Sequence, residues 1–199
     1  MKHFVVAIAR EYGSQGAEIG RKLADRLGVT YYDSILVNEA AHKLGINEKE
    51  LAVIDECISR KKALVKSLPG LDEGNMSDEL IEAQSDIIRR LAERESCVII
   101  GRCANYVLKD RDDCLSVYIY APFEKRVDHI MSVHPEYSRR KAKNLVEKMD
   151  RTRRNYYYYV TGKDRDTIYE QQIMCDSNIF GVDGTVELLE NTIKRQFAD

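Results

Sequence analysis

The stretch FVVAIAREYGSQGAEIGRKLADRLG, Phe4 to Gly28, decides the fold class. Phe4 to Ala9 is apolar at every position, the pattern of a strand buried on both faces in the middle of a parallel sheet. Ile19, Leu23, Ala24 and Leu27 then recur at helical spacing, and Gly28 stands where a left-handed C-cap is expected. Between strand and helix lies the loop from Arg10 to Gly16. Its glycines, Gly13 and Gly16, let the backbone turn tightly, so that successive amide N–H groups at a helix start face one point which the helix dipole makes attractive to an anion. Gly13, Ser14, Gln15, Gly16, Ala17 and Glu18 are therefore the candidate phosphate-binding residues. A tight βα turn that binds nothing accounts for this stretch as well, since a glycine-rich loop alone is a weak signal.

Outward from that unit the grammar repeats. Val29 to Tyr32 offers a short strand, and Asp33 or Ser34 can cap a helix running towards Leu44-Gly45. Asn47 to Arg94 is polar and helical, broken at Ser67 to Met76 by Pro69, Gly70 and Gly74. Ser77 caps a helix carrying Leu80, Ile81, Ile87, Ile88 and Leu91, and Cys97 to Ile100 is a strand followed by Gly101-Arg102 and a short helix through Tyr106 and Leu108. Leu115 to Tyr120 is the next strand, and Ala121-Pro122 opens a helix to about Met131. Ser138 to Tyr159 is basic and helical, with arginines at 139, 140, 151, 153 and 154. Gln172 to Cys175 is a last strand, Asp176-Ser177-Asn178 a turn, and Val182 to Phe197 an amphipathic closing helix with Val186, Leu189, Ile193 and Phe197 inward. Strands alternating with helices predict an α/β fold, a doubly wound parallel sheet of about five strands flanked by helices.

Composition agrees with one domain over residues 1–199: 44% hydrophobic and 32% charged residues lie in the globular range. A net charge of -2 supplies no global field for nucleic acid or an anionic membrane, so neither is expected as a partner. Cys57, Cys97, Cys103, Cys114 and Cys175 are odd in number and contain no CxxC pair, and the histidines do not join them at metal-ligand spacing. A disulfide framework and a structural zinc site are thus not indicated. The first apolar run is too short for a signal sequence or a membrane span, which makes the cytoplasm the expected compartment.

REYGSQGAEIG, Arg10 to Gly20, resembles the loop that stands at the P-loop position of the cytidylate kinases and the bacterial cytidylate-kinase-like proteins. LGVTYYD, Leu27 to Asp33, is similar to their second strand, ending in an aspartate of the monophosphate pocket. VIIGRCANYVL, Val98 to Leu108, resembles their strand, Gly-Arg turn and helix, which makes Arg102 the arginine that reaches a substrate phosphate. DRTRR, Asp150 to Arg154, resembles their lid motif, with Arg151 and Arg153 at the two phosphate-clamping positions, and MCDSN, Met174 to Asn178, their last strand and Asp-Ser turn. Several matches in order, at about the right spacings, are more specific than any one of them. The resemblance implies a P-loop nucleoside monophosphate kinase fold with a monophosphate-binding helical segment at about 34–95 and a lid at about 136–160. It implies ATP and Mg²⁺ as cofactors, a small-molecule nucleotide as substrate and transfer of the γ-phosphate of ATP to a monophosphate, CMP or dCMP first.

The departures bear on the chemistry. A P-loop reads GxxxxGK followed by Ser or Thr, its lysine on the β/γ-phosphates and its hydroxyl on magnesium. Aligned backwards from Gly28, the lysine position here is Gly16, followed by Ala17 and Glu18, and Ile100 stands where an aspartate precedes the Gly-Arg turn. SILVNEAA, Ser34 to Ala41, replaces the family's TGAMYRA, which carries an arginine for the monophosphate. Phosphoryl transfer rests on positioning and charge stabilisation, so an arginine can take over the lysine's part. Arg10 and Arg21 flank the loop as the candidates, and Glu18 is the candidate magnesium contact, or else an ordinary acid in a first helical turn. Asp33 is read as acceptor ligand or helix cap, Arg102 as phosphate ligand or structural ion pair, and Arg151 with Arg153 as a clamp or a solvated face. Two residues apart on a helix, these two arginines need a helix break or a clamp from two directions to act together. Lys22 falls one residue off the loop and is read as solvated; Tyr156 to Tyr159 are read as half-packed into a core with exposed hydroxyls rather than as base-stacking platforms.

Overall fold

Val5 to Arg10 forms strand β1, buried at every residue before Arg10, at the centre of a parallel sheet. The computed structural model describes residues 1–33, 78–164 and 168–198. In chain order β1 is followed by α1 (Gly16–Leu27), β2 (Thr30–Tyr32), α2 (Asp78–Arg94), β3 (Cys97–Ile100), α3 (Ala104–Val107), β4 (Cys114–Tyr120), α4 (Phe123–Val133) and α5 (Arg139–Thr161). A 3-10 turn at Ile168–Glu170 leads into β5 (Ile173–Asp176) and α6 (Ser177–Gln196). Among the described residues the sheet has five strands in the order β2-β3-β1-β4-β5, all parallel, with Val5 opposite both Cys97 and Cys114. The predicted helix after Asp33, the Ser67–Met76 break, the Ser77 cap and Cys57 lie outside the described residues.

Strand alternation divides the core between the two faces of the sheet. Val6 and Ile8 join Ile19 and Leu23 of α1 and Val186, Leu189 and Ile193 of α6 on one face. Val5 and Ala7 join Ile87, Ile88 and Leu91 of α2 and Ala104 with Leu108 around α3 on the other. Gly28 takes the left-handed conformation expected of a C-cap, at φ 66°. Gly20 is needed for space: a Cβ there would lie 2.4 Å from Ile100 Cδ1, so α1 can approach β3 only without a side chain.

The chain after β1 passes to the α1 face and the chain after β3 to the α3 face, although β1 and β3 are neighbours. Their carboxyl ends therefore diverge and leave a crevice, the place where open α/β sheets receive ligands. One predicted turn is corrected: Asp176 ends β5 and caps α6 by accepting a hydrogen bond from Asn178 N at 2.9 Å, so Ser177 and Asn178 are already helical. Ser177 stays buried because its Oγ reaches Ser14 O at 2.8 Å and Tyr120 O at 3.1 Å. The irregularity lies later, at Gly181, whose φ of 65° kinks α6.

Candidate functional site

The loop enters the crevice directly from β1. Gly13 has φ 81°, and a Cβ on it would meet Arg126 O at 2.9 Å, so glycine serves both conformation and space there. Gly16 is different. It opens α1 without a positive φ, the left-handed turn being taken instead by Gln15 at φ 61°. What Gly16 supplies is room, since a Cβ would lie 2.7 Å from Arg10 Cβ. The stem of Arg10 thus fills the space that a side chain at the lysine position would need. Ser14 turns its hydroxyl inward to Glu11 O at 3.0 Å and Ile119 O at 3.1 Å.

Across the crevice, Gly101 has φ 77° and a Cβ there would collide with Arg10 Nη1 at 2.5 Å, which puts the Arg10 guanidinium against the turn after β3. Arg102 and Cys103, both at φ 54°, continue that turn into α3. The result is a narrow cavity of about 30 Å³ bordered by Arg10, Arg102 and Arg153, with Asn105, Tyr156 and Tyr157 completing its wall. Arg153 comes from α5, where Nη1 donates to Arg10 O at 3.3 Å and the guanidinium lies 5.4 Å from the Tyr12 ring centroid. Three arginines, from β1, the β3–α3 turn and α5, border it, a residue set suited to an oxyanion.

The remaining predicted residues are distributed around this centre. Helix α5 is continuous from Arg139 to Thr161, so of the two alternatives for Arg151 and Arg153 the helix break does not occur, and the two border different cavities. Arg151 borders a wider one of about 390 Å³ with Phe123, Arg126, Glu147, Asp150 and Arg154. Arg21 is 61% exposed, 4.7 Å over the Tyr31 ring and 3.9 Å from Asp33, rather than over the loop. Glu18 is 51% exposed and sits 3.4 Å from Lys22 Nζ, which also meets Asp183 at 3.0 Å; Lys22 is therefore paired, not simply solvated. Among the described residues no group of three or more His, Cys, Asp or Glu side chains is placed to hold a metal ion.

Sequence reasoning missed the residues that hold the loop. Asp150 is buried within α5 and accepts a hydrogen bond from Tyr12 N at 2.9 Å and one from Arg126 Nη1. Arg126, also buried, donates to Tyr12 O at 3.0 Å and Ala121 O at 2.9 Å and lies 3.1 Å from Glu11, whose carboxylate accepts from Ala121 N at 3.1 Å. The signal was present: Asp150 continues the inward stripe Ala142, Val146, Met149, and a carboxylate on such a stripe requires a buried partner.

The tyrosine run divides. Tyr156 and Tyr157 are buried and Tyr158 and Tyr159 exposed. The Tyr157 hydroxyl is not exposed as expected: it accepts from Asn105 Nδ2 at 3.1 Å and donates to Glu170 at 3.3 Å. Burial, with the Glu170 carboxylate beside it, pushes its ionisation well above the usual tyrosine range. Burial also raises Tyr12, an effect that Arg153 opposes. The described cysteines, Cys97, Cys103, Cys114 and Cys175, are buried and form no disulfide with one another.

With this geometry in view, the comparisons with known proteins are informative. The model of the cytidylate kinase-like family matches residues 5–178. No curated protein matches the chain. An uncharacterized protein from Eubacterium ventriosum is similar at 24% identity and a TM-score of 0.72, with 98% of this chain and 99% of that one covered. A shikimate kinase from Bacteroides thetaiotaomicron, 10% identical, has a TM-score of 0.55 over 96% of this chain and 98% of its own. A gluconokinase from Sinorhizobium meliloti, 12% identical, has a TM-score of 0.55 over 98% and 99%. At these identities the solved structures establish the fold, that of the P-loop kinases. No described helix is long and apolar enough to cross a membrane. Loop, crevice, sheet order and a family match that spans the strands from β1 to β5 all agree: this chain belongs to the cytidylate kinase-like family, with a P-loop that lacks its lysine.

Proposed function

We propose that the protein is a cytoplasmic phosphotransferase that moves the γ-phosphate of ATP to a small acceptor bearing an anionic group, CMP or dCMP first. The observation that carries this reading is the convergence of Arg10, Arg102 and Arg153 on one cavity at the crevice between β1 and β3. A cavity of about 30 Å³ takes one small anionic group and leaves the rest of the acceptor outside it. Asp33 is a proposed ligand of that remainder, and about 136–160 the proposed lid; of the proposed monophosphate-binding segment at about 34–95, residues 34–77 lie outside the described residues.

The loop fits a phosphate chain through backbone amides of Gly13 to Glu18 at the start of α1. Its missing lysine is offset by Arg10, whose stem occupies the lysine's room beside Gly16 and whose guanidinium bridges towards Gly101. Arg21, held at Tyr31 and Asp33, is the alternative source of charge. Arg153 stands on the acceptor side, and Arg151, which borders a different cavity on the far side of α5, is a separate candidate phosphate contact. Glu18 is the candidate magnesium contact, and Mg²⁺ when bound would screen the charge of the phosphates. The chain's own part is orientation: arginines hold an acceptor oxygen in line with the loop and stabilise charge that grows on the transferring group, with no covalent intermediate required.

A second reading keeps the fold and changes the acceptor to a non-nucleotide metabolite; the shikimate kinase and gluconokinase among the structural neighbours support it. A third, a nucleotide sensor without transferase activity, is supported by the lysine-less loop. Calorimetric titration with CMP, dCMP, shikimate and gluconate tests the acceptor site. One of them is expected to bind, with Arg102→Ala weakening it roughly 10- to 100-fold, the value of one charge-assisted contact. Equal affinity in wild type and Arg102→Ala refutes the placement of the acceptor's anion.

A further inference from the structure

A third cavity lies beyond α3, on the sheet face away from α1, and the proposed reaction does not use it. It measures about 260 Å³ and is bordered by Asn105, Lys109, Ser116, Lys163, Gln171 and Gln172, with the rings of Tyr106 and Tyr169 at its margin. Its floor is built rather than accidental. Ser116 of β4 donates its N–H to Gln172 Oε1 at 2.7 Å and its hydroxyl to Gln171 Oε1 at 2.7 Å, which fixes both glutamines just before β5.

Gln171 is only 9% exposed, and its Nε2 is buried with no hydrogen-bond partner among the described residues. A buried amide N–H₂ without an acceptor costs about 1–3 kcal/mol, an arrangement that persists when a ligand satisfies it. The charge of the wall points to the kind of ligand. Lys109, Arg111 and Lys163 border the cavity together with one carboxylate, Glu170, which Lys163 meets at 2.8 Å. Lys109 Nζ lies 4.7 Å over the Tyr106 ring, and Arg111 is fixed by Asp113 through bonds of 2.9 and 2.8 Å. With Asp113 on Arg111 and Glu170 on Lys163, Lys109 is the cation in excess among the described residues, so the complement is an oxyanion.

We propose that this cavity is a second ligand site, for the phosphate or carboxylate group of a small metabolite, with Gln171 Nε2 and Lys109 Nζ as its donors. It is separate from the three-arginine cavity. Asn105 stands in the wall of both, and its bond to Tyr157, continued to Glu170 and Lys163, forms the partition.

The test is ¹H–¹⁵N NMR of the full chain, following the Gln171 side-chain amide, assigned by its loss in Gln171→Met, during titrations with inorganic phosphate and with citrate. A saturable shift is expected with at least one probe, phosphate alone marking a phosphate site and citrate alone a carboxylate site. Lys109→Glu, at an exposed position that leaves the core untouched, should weaken that binding roughly tenfold or more. Arg102→Ala should leave it unchanged, which keeps this outcome independent of whether the protein transfers phosphate. No saturable shift with either probe, a shift indifferent to Lys109→Glu, or a shift abolished by Arg102→Ala would each overturn the proposal, the last by placing the anion in the arginine cavity.

Discussion

Replacing Asp150 with alanine removes the one carboxylate that holds both Arg126 and the amide of Tyr12 at the base of the loop. Both charged side chains are 7% exposed, so the change leaves a guanidinium inside the protein without its main counter-charge. Breaking a buried pair in this way costs about 3–5 kcal/mol. The lower end applies here, because Glu11 remains 3.1 Å from Arg126 and offsets part of the charge. For a chain of this length about 3 kcal/mol corresponds to a fall in melting temperature of roughly 6–12 °C. The reasoning also fixes the sign of a second change. Arg126→Met in the Asp150→Ala background removes the stranded cation, while Glu11 keeps its bond from Ala121 N, so the double variant should recover part of the loss. Chemical denaturation of wild type, both single variants and the double, analysed as a cycle, is the assay. A loss below about 1 kcal/mol for Asp150→Ala, or a double variant no more stable than that single one, refutes the view that this triad ties loop to α5 through a buried charge.

Other consequences can be checked separately. Gly101→Ala must strain a residue at φ 77° and displace Arg10 Nη1 from 2.5 Å, so it should weaken acceptor binding more than it lowers stability; calorimetry beside thermal melting compares the two. Under the proposed function, Arg10→Ala should depress turnover at least tenfold and Arg21→Ala only slightly, and the reverse order would assign the lysine's part to Arg21. Burial pushes the thiols of Cys97 and Cys114 from 9.0 up to about 12. Between those values the unfolded chain binds fewer protons than the folded one, so these thiols lower stability as pH rises from 9 to about 12 and change nothing below it. Cys114→Ala should therefore flatten the alkaline limb of a stability–pH curve, and an unchanged slope contradicts the burial account.

Much of the fold was legible because it depends on short-range patterns. An unbroken apolar run at Val5 to Ala9 and a helical stripe ending at Gly28 are enough to set β1 and α1, and Cys97 to Ile100 was read to the residue. The candidate site was legible in part. Arg10, Arg102 and Arg153 are separated widely in sequence, and each was singled out alone, but only the strand order brings them to one cavity. That Arg151 and Arg153 do not share one face was legible from their spacing of two, and the unbroken helix keeps them apart. Glycine composition suggested a turn at Gly16 when the residue serves close packing, and no local pattern tells these apart. Asp150 and Arg126 were missed since both bond the backbone of Tyr12, 138 and 114 residues away, a separation no local pattern spans.

The most direct test of the account is phosphorus NMR of the purified protein with ATP, Mg²⁺ and a mixed panel of CMP, dCMP and the other monophosphates, an authentic cytidylate kinase serving as control. New diphosphate signals from one acceptor, lost in Arg102→Ala and strongly reduced in Arg10→Ala, are the predicted result. Nucleotide resonances that neither change nor broaden in the presence of the protein would contradict the claim that this loop and its arginines form a phosphotransfer site.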